Sequence, residues 1–149
     1  PDASWTNFSL YRYAEVLLIY AEALNEYDPG NPQIAWAANQ VRGRAGLPGV
    51  DQLTGNQVAM REKIREERRH EFVAEHKRYF DILRWKTAEK VLNEPGYGIN
   101  KDEKAPIGNY SVEQFLGQNR TFDASKHYLW PIPQSARDKN PNLGQNPNW

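Results

Sequence analysis

A chain of 149 residues has room for one domain with a real core, and its five Trp, eight Tyr and five Phe exclude a disordered polymer despite a mean hydropathy of -0.86. Nineteen basic residues against nineteen acidic ones leave no net field to steer the chain to DNA, RNA or an anionic bilayer, so nucleic acid is not an expected partner. The absence of cysteine excludes disulfides, thiolate metal sites and a cysteine nucleophile, and places any cysteine-borne lipid anchor outside this stretch. No run approaches eighteen apolar residues, and the opening Pro1 is not followed by a signal-peptide pattern, so the stretch reads as part of a longer chain.

Between residues 11 and 26, Tyr13, Val16, Leu17, Tyr20 and Leu24 recur at helical spacing, with Ala14, Leu18 and Ala21 forming a second stripe. So wide an apolar arc predicts a helix packed on two neighbours, with Arg12, Glu15, Glu22 and Glu26 as its polar strip. Asp28-Pro29-Gly30 is a turn by its chemistry, and Asn31 followed by Pro32 predicts a capped second helix that Gly46 to Gly49 ends. These two helices make an antiparallel hairpin. A long, highly charged helix is expected from Gln57 to Ala74. A further amphipathic stretch with Phe80, Leu83 and Val91 spans residues 78 to 92, either a continuation of that helix or a separate one after a bend near His76. Beyond Asn93 the period is lost, and irregular chain is expected, with one possible helical turn from Val112 to Leu116 capped by Ser111. The prolines at 131, 133, 141 and 147 predict an extended strap across the hairpin, outside any sheet, burying Leu129, Trp130, Ile132 and Leu143. The whole reads as one mainly α domain over residues 1–149, with a helical core at 1–92 and irregular loops and strap at 93–149.

Glu67, Glu71 and Glu75 stand at successive i, i+4 positions and repel by about 0.2–0.5 kcal/mol per pair, so cations must compensate. Arg68 reaches Glu71 from within the helix, and Arg42 and Arg44 can reach Glu67 and Glu71 from the preceding one. The expected result is a structural ion-pair network, with Arg42 or Arg44 in a buried pair. Carboxylates on one helix flank no substrate cleft, so no acid–base site is assigned. His70 and His76 are six residues apart, which breaks the spacing of a zinc-protease helix, and with His127 the only other histidine no metal site or cofactor is expected. The arginines and lysines from Arg61 to Arg69 are interleaved with Glu62, Glu66 and Glu67, as on a solvated or paired face. Aromatic residues among polar loops are the better ligand candidates. Trp5, Tyr97, Tyr110 and Trp149 can offer a ring plane to a sugar while neighbouring amides bind its hydroxyls, or can simply pin loops to the helices.

Four segments resemble the SusD/RagB family in its own order: YRYAEVLLIYAEAL at 11–24, NQVRGRAGLP at 39–48, IREERRHE at 64–71 leading into RYFDILRW at 78–85, and YLWPIP at 128–133 followed by NPNLGQNP at 140–147. His76 departs from the pattern, standing where the family commonly has glycine, as does the closing Asn148-Trp149. The resemblance implies a longer, mostly helical protein with tetratricopeptide-like helix pairs, of which this chain is the C-terminal portion. It further implies a lipoprotein on the bacterial outer-membrane surface, anchored through an N-terminal cysteine outside this chain. Such a protein binds an oligosaccharide without catalysis and serves a SusC-like TonB-dependent transporter. Trp5, Tyr97 and Tyr110 are the ligand-binding candidates, none of them carried over from a family motif. The alternative is a tetratricopeptide-like scaffold that binds a protein or peptide partner.

Overall fold

The computed structural model describes residues 10–100, 111–114 and 120–149. Its contacts divide the chain into two compact units, Pro1–Arg78 and Tyr79–Trp149.

The first unit is helical. Helix α1 spans Tyr13–Tyr27 and α2 spans Pro32–Arg44. The Asn31 side chain accepts a hydrogen bond from the Gln33 N–H, and Pro32 occupies the first turn, where its missing donor is harmless. Helix α2 stops in a Schellman arrangement: Leu47 N–H donates to Arg42 O and Gly46 N–H to Gly43 O, with Gly46 at φ 69°. A 3-10 turn at Asp51–Leu53 leads to α3, Gln57–Glu71, whose Asn56 cap accepts from Ala59 N–H. The three helices enclose one core that includes Leu18, Ala21, Ile34, Val41, Met60 and Ile64. Helix α1 packs on both α2 and α3.

The expected stripes of α1 divide in an instructive way. Leu17, Leu18 and Ala21 are buried, whereas Tyr13, Val16 and Tyr20 lie exposed, so both packing neighbours share one side of the helix. Periodicity alone could not say which half of a wide apolar arc would be covered.

The chain turns after Glu71 rather than continuing to Ala74, and Ala74 and His76 adopt φ 64° and 58°. The bend at His76 thus has a backbone cause. The expected stretch 78–92 is two helices, α4 at Lys77–Arg84 and α5 at Ala88–Leu92, separated by Lys86 at φ 55°. On α4 Phe80 is exposed, whereas Ile82 is buried with Ala88 and Phe122 in the core of the second unit.

Two further expectations are corrected in this unit. The turn of helix expected at 112–116 is instead strand β2, Ser111–Gln114, antiparallel to β1, Tyr97–Asn100, with Ile99 opposite Val112. A partner more than ten residues away decides that state, and local spacing does not carry it. The strap joins no sheet, but it contains a short helix, α6, at Gln134–Lys139, which fits the proline-free interval after Pro133. Its apolar groups are less buried than expected: Leu129 and Trp130 are exposed, while Ile132 and Leu143 are partly covered.

Side-chain amides hold this irregular chain where a ladder of backbone bonds is missing. Gln145 accepts from Ile132 N–H at 2.7 Å and donates to Ile132 O at 3.1 Å. Asn93 does the same for Phe122, at 2.6 and 3.0 Å. Asn146 donates to Trp130 O. An amide carries donor and acceptor side by side, so one Asn or Gln replaces a strand neighbour for one residue. The abundance of Asn and Gln beside Pro in this segment is thereby explained.

Candidate functional site

In the first unit the charged residues singled out by sequence come together. Arg42 Nη1 lies 2.7 Å from Glu67 Oε2, with the two side chains only 9% and 7% exposed, and Arg42 Nε donates to Pro48 O. Arg44 Nη2 lies 2.6 Å from Glu71 Oε2 on the rim. Arg68 is buried, with Nε 3.9 Å from Glu22 and its guanidinium 5.2 Å from the Phe72 ring centroid.

Arg12, for which sequence spacing indicates no partner, is the centre of this network. Its Nη1 donates to Glu71 Oε1 at 2.8 Å, and its Nη2 and Nε donate to the two oxygens of Glu75 at 2.7 and 3.0 Å. The same guanidinium makes a fourth bond, from Nη2 to Glu71 O at 3.0 Å, and lies 5.2 Å from the Phe72 ring centroid. The hydrogen bonds that Arg12 donates to Glu75 and then Glu71 raise its pKa above its ordinary value. Lys77 completes the joint, with Nζ 3.1 Å from Glu15 and over the Tyr11 ring. Glu67, Glu71 and Glu75 are each bound to an arginine, so the cluster fastens the start of α1 to the end of α3. The signal available in the sequence was an arginine just before α1 and a surplus of carboxylates at the end of α3; the long separation hid the match.

The second unit holds an aromatic cleft of about 260 Å³ lined by Tyr79, Thr121, Phe122, His127, Leu129, Trp130, Pro131 and Trp149. That is just below the roughly 300–1,000 Å³ of pockets that enclose drug-sized ligands, and suits a single small ring. Its walls are fixed by edge-to-face contacts of Tyr79 with Trp130 and of Phe122 with His127 and Tyr128. His127 Nδ1 accepts the Asp123 N–H at 2.8 Å, which leaves Nε2 as the proton-bearing nitrogen of the neutral ring. Trp149 acts as a pin: its Nε1 donates to Leu129 O and Lys126 O, and Lys126 Nζ lies 4.2 Å from its ring centroid. Trp130 is 70% exposed and presents the most open ring of the cleft.

Of the three ligand candidates, Tyr97 is placed by β1, while Trp5 and Tyr110 lie outside the described residues. Tyr97 is 62% exposed and directly opposite Gln114, so ring and amide share one face of the ribbon with Ile99 and Val112. Sequence alone does not reveal the cleft: Leu129 and Trp130 carry the signal of buried strap anchors, and of its rings only Trp149 stands among the polar-loop aromatics. Among the described residues no three His, Asp or Glu are grouped as metal ligands.

The sequence model of the SusD family matches residues 2–149. SusD-like protein P2 of Formosa agariphila is 35% identical over 96% of this chain, and a second SusD-like protein of that organism is 36% identical over 68% of it. A solved SusD-like carbohydrate binding protein from Bacteroides fragilis superposes with a TM-score of 0.71 at 37% identity, covering 91% of this chain and 28% of the other. The chain spans 26% of the length of the first of these relatives and 21% of the second. A family match over almost every residue, two relatives above 30% identity and a shared helical fold agree: the chain belongs to the SusD family.

Proposed function

We propose that this chain is the C-terminal portion of a SusD-like lipoprotein of the bacterial outer-membrane surface, which captures a neutral oligosaccharide without hydrolysing it. In this reading the ligand passes to a SusC-like TonB-dependent transporter, and the lipid anchor is an N-terminal cysteine elsewhere in the full-length protein. The observation that carries the reading is the family match along residues 2–149, and the carbohydrate-binding relative supports the ligand class.

The geometry adds a chemical rationale. Sugar capture needs an accessible aromatic plane with hydrogen-bonding groups at its edge, and two arrangements in the second unit have that form. Tyr97 stands beside Gln114 on an uncharged ribbon face, and Trp130 opens the cleft that also contains His127 and Thr121. Trp5 and Tyr110 remain proposed contacts on sequence grounds. The balanced net charge favours a neutral ligand over a polyanion.

Calorimetry on the full-length protein with a panel of neutral oligosaccharides, at low and high salt, tests this reading. Stacking on a ring plane depends little on ionic strength, so affinity is expected to change little between the two conditions. Tyr97→Ala or Trp130→Ala is expected to weaken binding, with no sugar released during the titration. Absence of binding across the panel, or affinity that collapses with salt, would count against the neutral glycan. Sugar release would count against a non-enzymatic role.

A further inference from the structure

The aromatic cleft of the second unit is lined by groups that mostly donate hydrogen bonds and seldom accept them. His127 takes the Asp123 N–H on Nδ1, so its neutral ring carries its proton on Nε2. The Trp149 indole N–H is engaged with Leu129 O at 3.0 Å and Lys126 O at 3.2 Å. The lining includes no Asp, Glu, Asn or Gln, the side chains whose oxygens accept from sugar hydroxyls, and Phe122, Leu129 and Pro131 add only apolar side chains. Trp130 differs from the other rings. Asn146 donates to its carbonyl at 2.6 Å, yet the residue is 70% exposed. An indole left open on a clamped backbone is preorganised for a partner.

These features select one sugar substituent. A hydroxyl placed among them brings a proton that needs an acceptor, and a buried donor without one costs binding. An acetamido group instead offers a carbonyl oxygen, which only accepts, and a methyl, which needs apolar surface. A 6-deoxy sugar has the methyl and no carbonyl. We propose that the cleft binds one N-acetylated sugar unit. Its ring lies on Trp130, its carbonyl oxygen accepts from His127 Nε2–H, its methyl meets Leu129 and Pro131, and its amide N–H stays at the open mouth. The volume of about 260 Å³ suits a single unit of an oligosaccharide. The proposal deepens the reading of the full-length protein as one that captures neutral glycans, and rests on it.

The test uses the full-length protein and methyl glycosides of N-acetylated glucosamine, galactosamine and mannosamine, each paired with its parent hexose, with methyl fucoside as the 6-deoxy probe. Calorimetry is expected to give the acetylated member of at least one pair about tenfold higher affinity, the combined effect of one hydrogen bond and one buried methyl. Saturation-transfer NMR should place the strongest signal on the acetyl methyl protons. Trp130→Ala, at an exposed position, should abolish this binding without changing the melting temperature, and His127→Phe, which keeps a ring in place, should reduce the preference within the pair. Equal affinities within every pair, saturation spread evenly over the sugar ring, or binding untouched by Trp130→Ala would overturn the proposal. Fucoside binding as tight as that of the acetylated sugars would also overturn it, since the carbonyl would then contribute nothing. If neutral oligosaccharides bind while no acetylated glycoside does, the cleft assignment falls and glycan capture stands; if no sugar of any kind binds, both fall.

Discussion

Arg42 and Glu67 meet where both are almost removed from water, so their value is asymmetric. Deleting one partner strands a buried charge, and Arg42→Ala is expected to destabilise the fold by about 3–5 kcal/mol, measured by urea unfolding. Replacing both residues with apolar side chains of similar volume should recover most of that loss; a double variant as unstable as the single one would show that the contact to Pro48 O, rather than the charge pair, dominates. His76 presents the reverse case. Its φ of 58° is a region where a Cβ costs roughly 1–2 kcal/mol and glycine costs little. His76→Gly is therefore expected to stabilise the protein, by about 1 kcal/mol once the greater freedom of glycine in the unfolded chain is subtracted. An unchanged or lower melting temperature would mean that the imidazole contributes contacts that outweigh the strain.

Helices whose ends carry chemical punctuation were legible from sequence, and those set by distant partners were not. Asn31-Pro32 and Gly46 mark α2 to the residue, and the long charged helix was visible as α3, although its last turn unwinds where Ala74 and His76 reverse the backbone. The covered side of α1, the break at Lys86 and the pairing of β1 with β2 depend on tertiary context. So does Arg12, whose carboxylate partners lie 59 and 63 residues away. Of the candidate site, the ring types were legible and the cleft was not, because Trp130 and Leu129 look like core residues in any local reading. Pairs between elements also set the acid response. Arg61 on α3 holds the Glu26 carboxyl of α1 below its ordinary value of 4.5 through two hydrogen bonds, against the opposing effect of desolvation. Since the folded-state value is the lower one, this pair stabilises the protein above about pH 4.5 and ceases to do so as pH falls through the folded value. Glu26 is half exposed, so solvent screening keeps the effect below about 1 kcal/mol. Glu26→Gln should lower stability slightly at pH 7 and progressively less as pH falls below 4.5; a loss that does not diminish with pH would assign the effect to something other than the charge.

At the scale of the whole molecule the two units differ in how they are held together. The first is built on apolar burial, with Leu18, Ala21, Ile34, Ala37, Met60 and Ile64 almost fully removed from water and a guanidinium network closing its end. The second has Ile82, Ala88 and Phe122 as its buried apolar groups among the described residues, and relies on amide clamps and edge-to-face rings. Apolar burial contributes about 25 cal/mol per Å², whereas a hydrogen bond in the folded state replaces one with water and contributes only about 0.5–1.5 kcal/mol net. Clamps of this kind fix geometry more than they add stability. Local opening follows the smaller core. Native-state hydrogen exchange should therefore find the amides of α1, α2 and α3 at least about tenfold slower than those of α5, α6 and the β1–β2 ribbon. The amides of Ile132 and Phe122, which donate to Gln145 and Asn93, should be the slowest of the irregular chain. Uniform protection across both units would mean that they open as one cooperative body, and that contacts beyond the described cores hold the second unit in place.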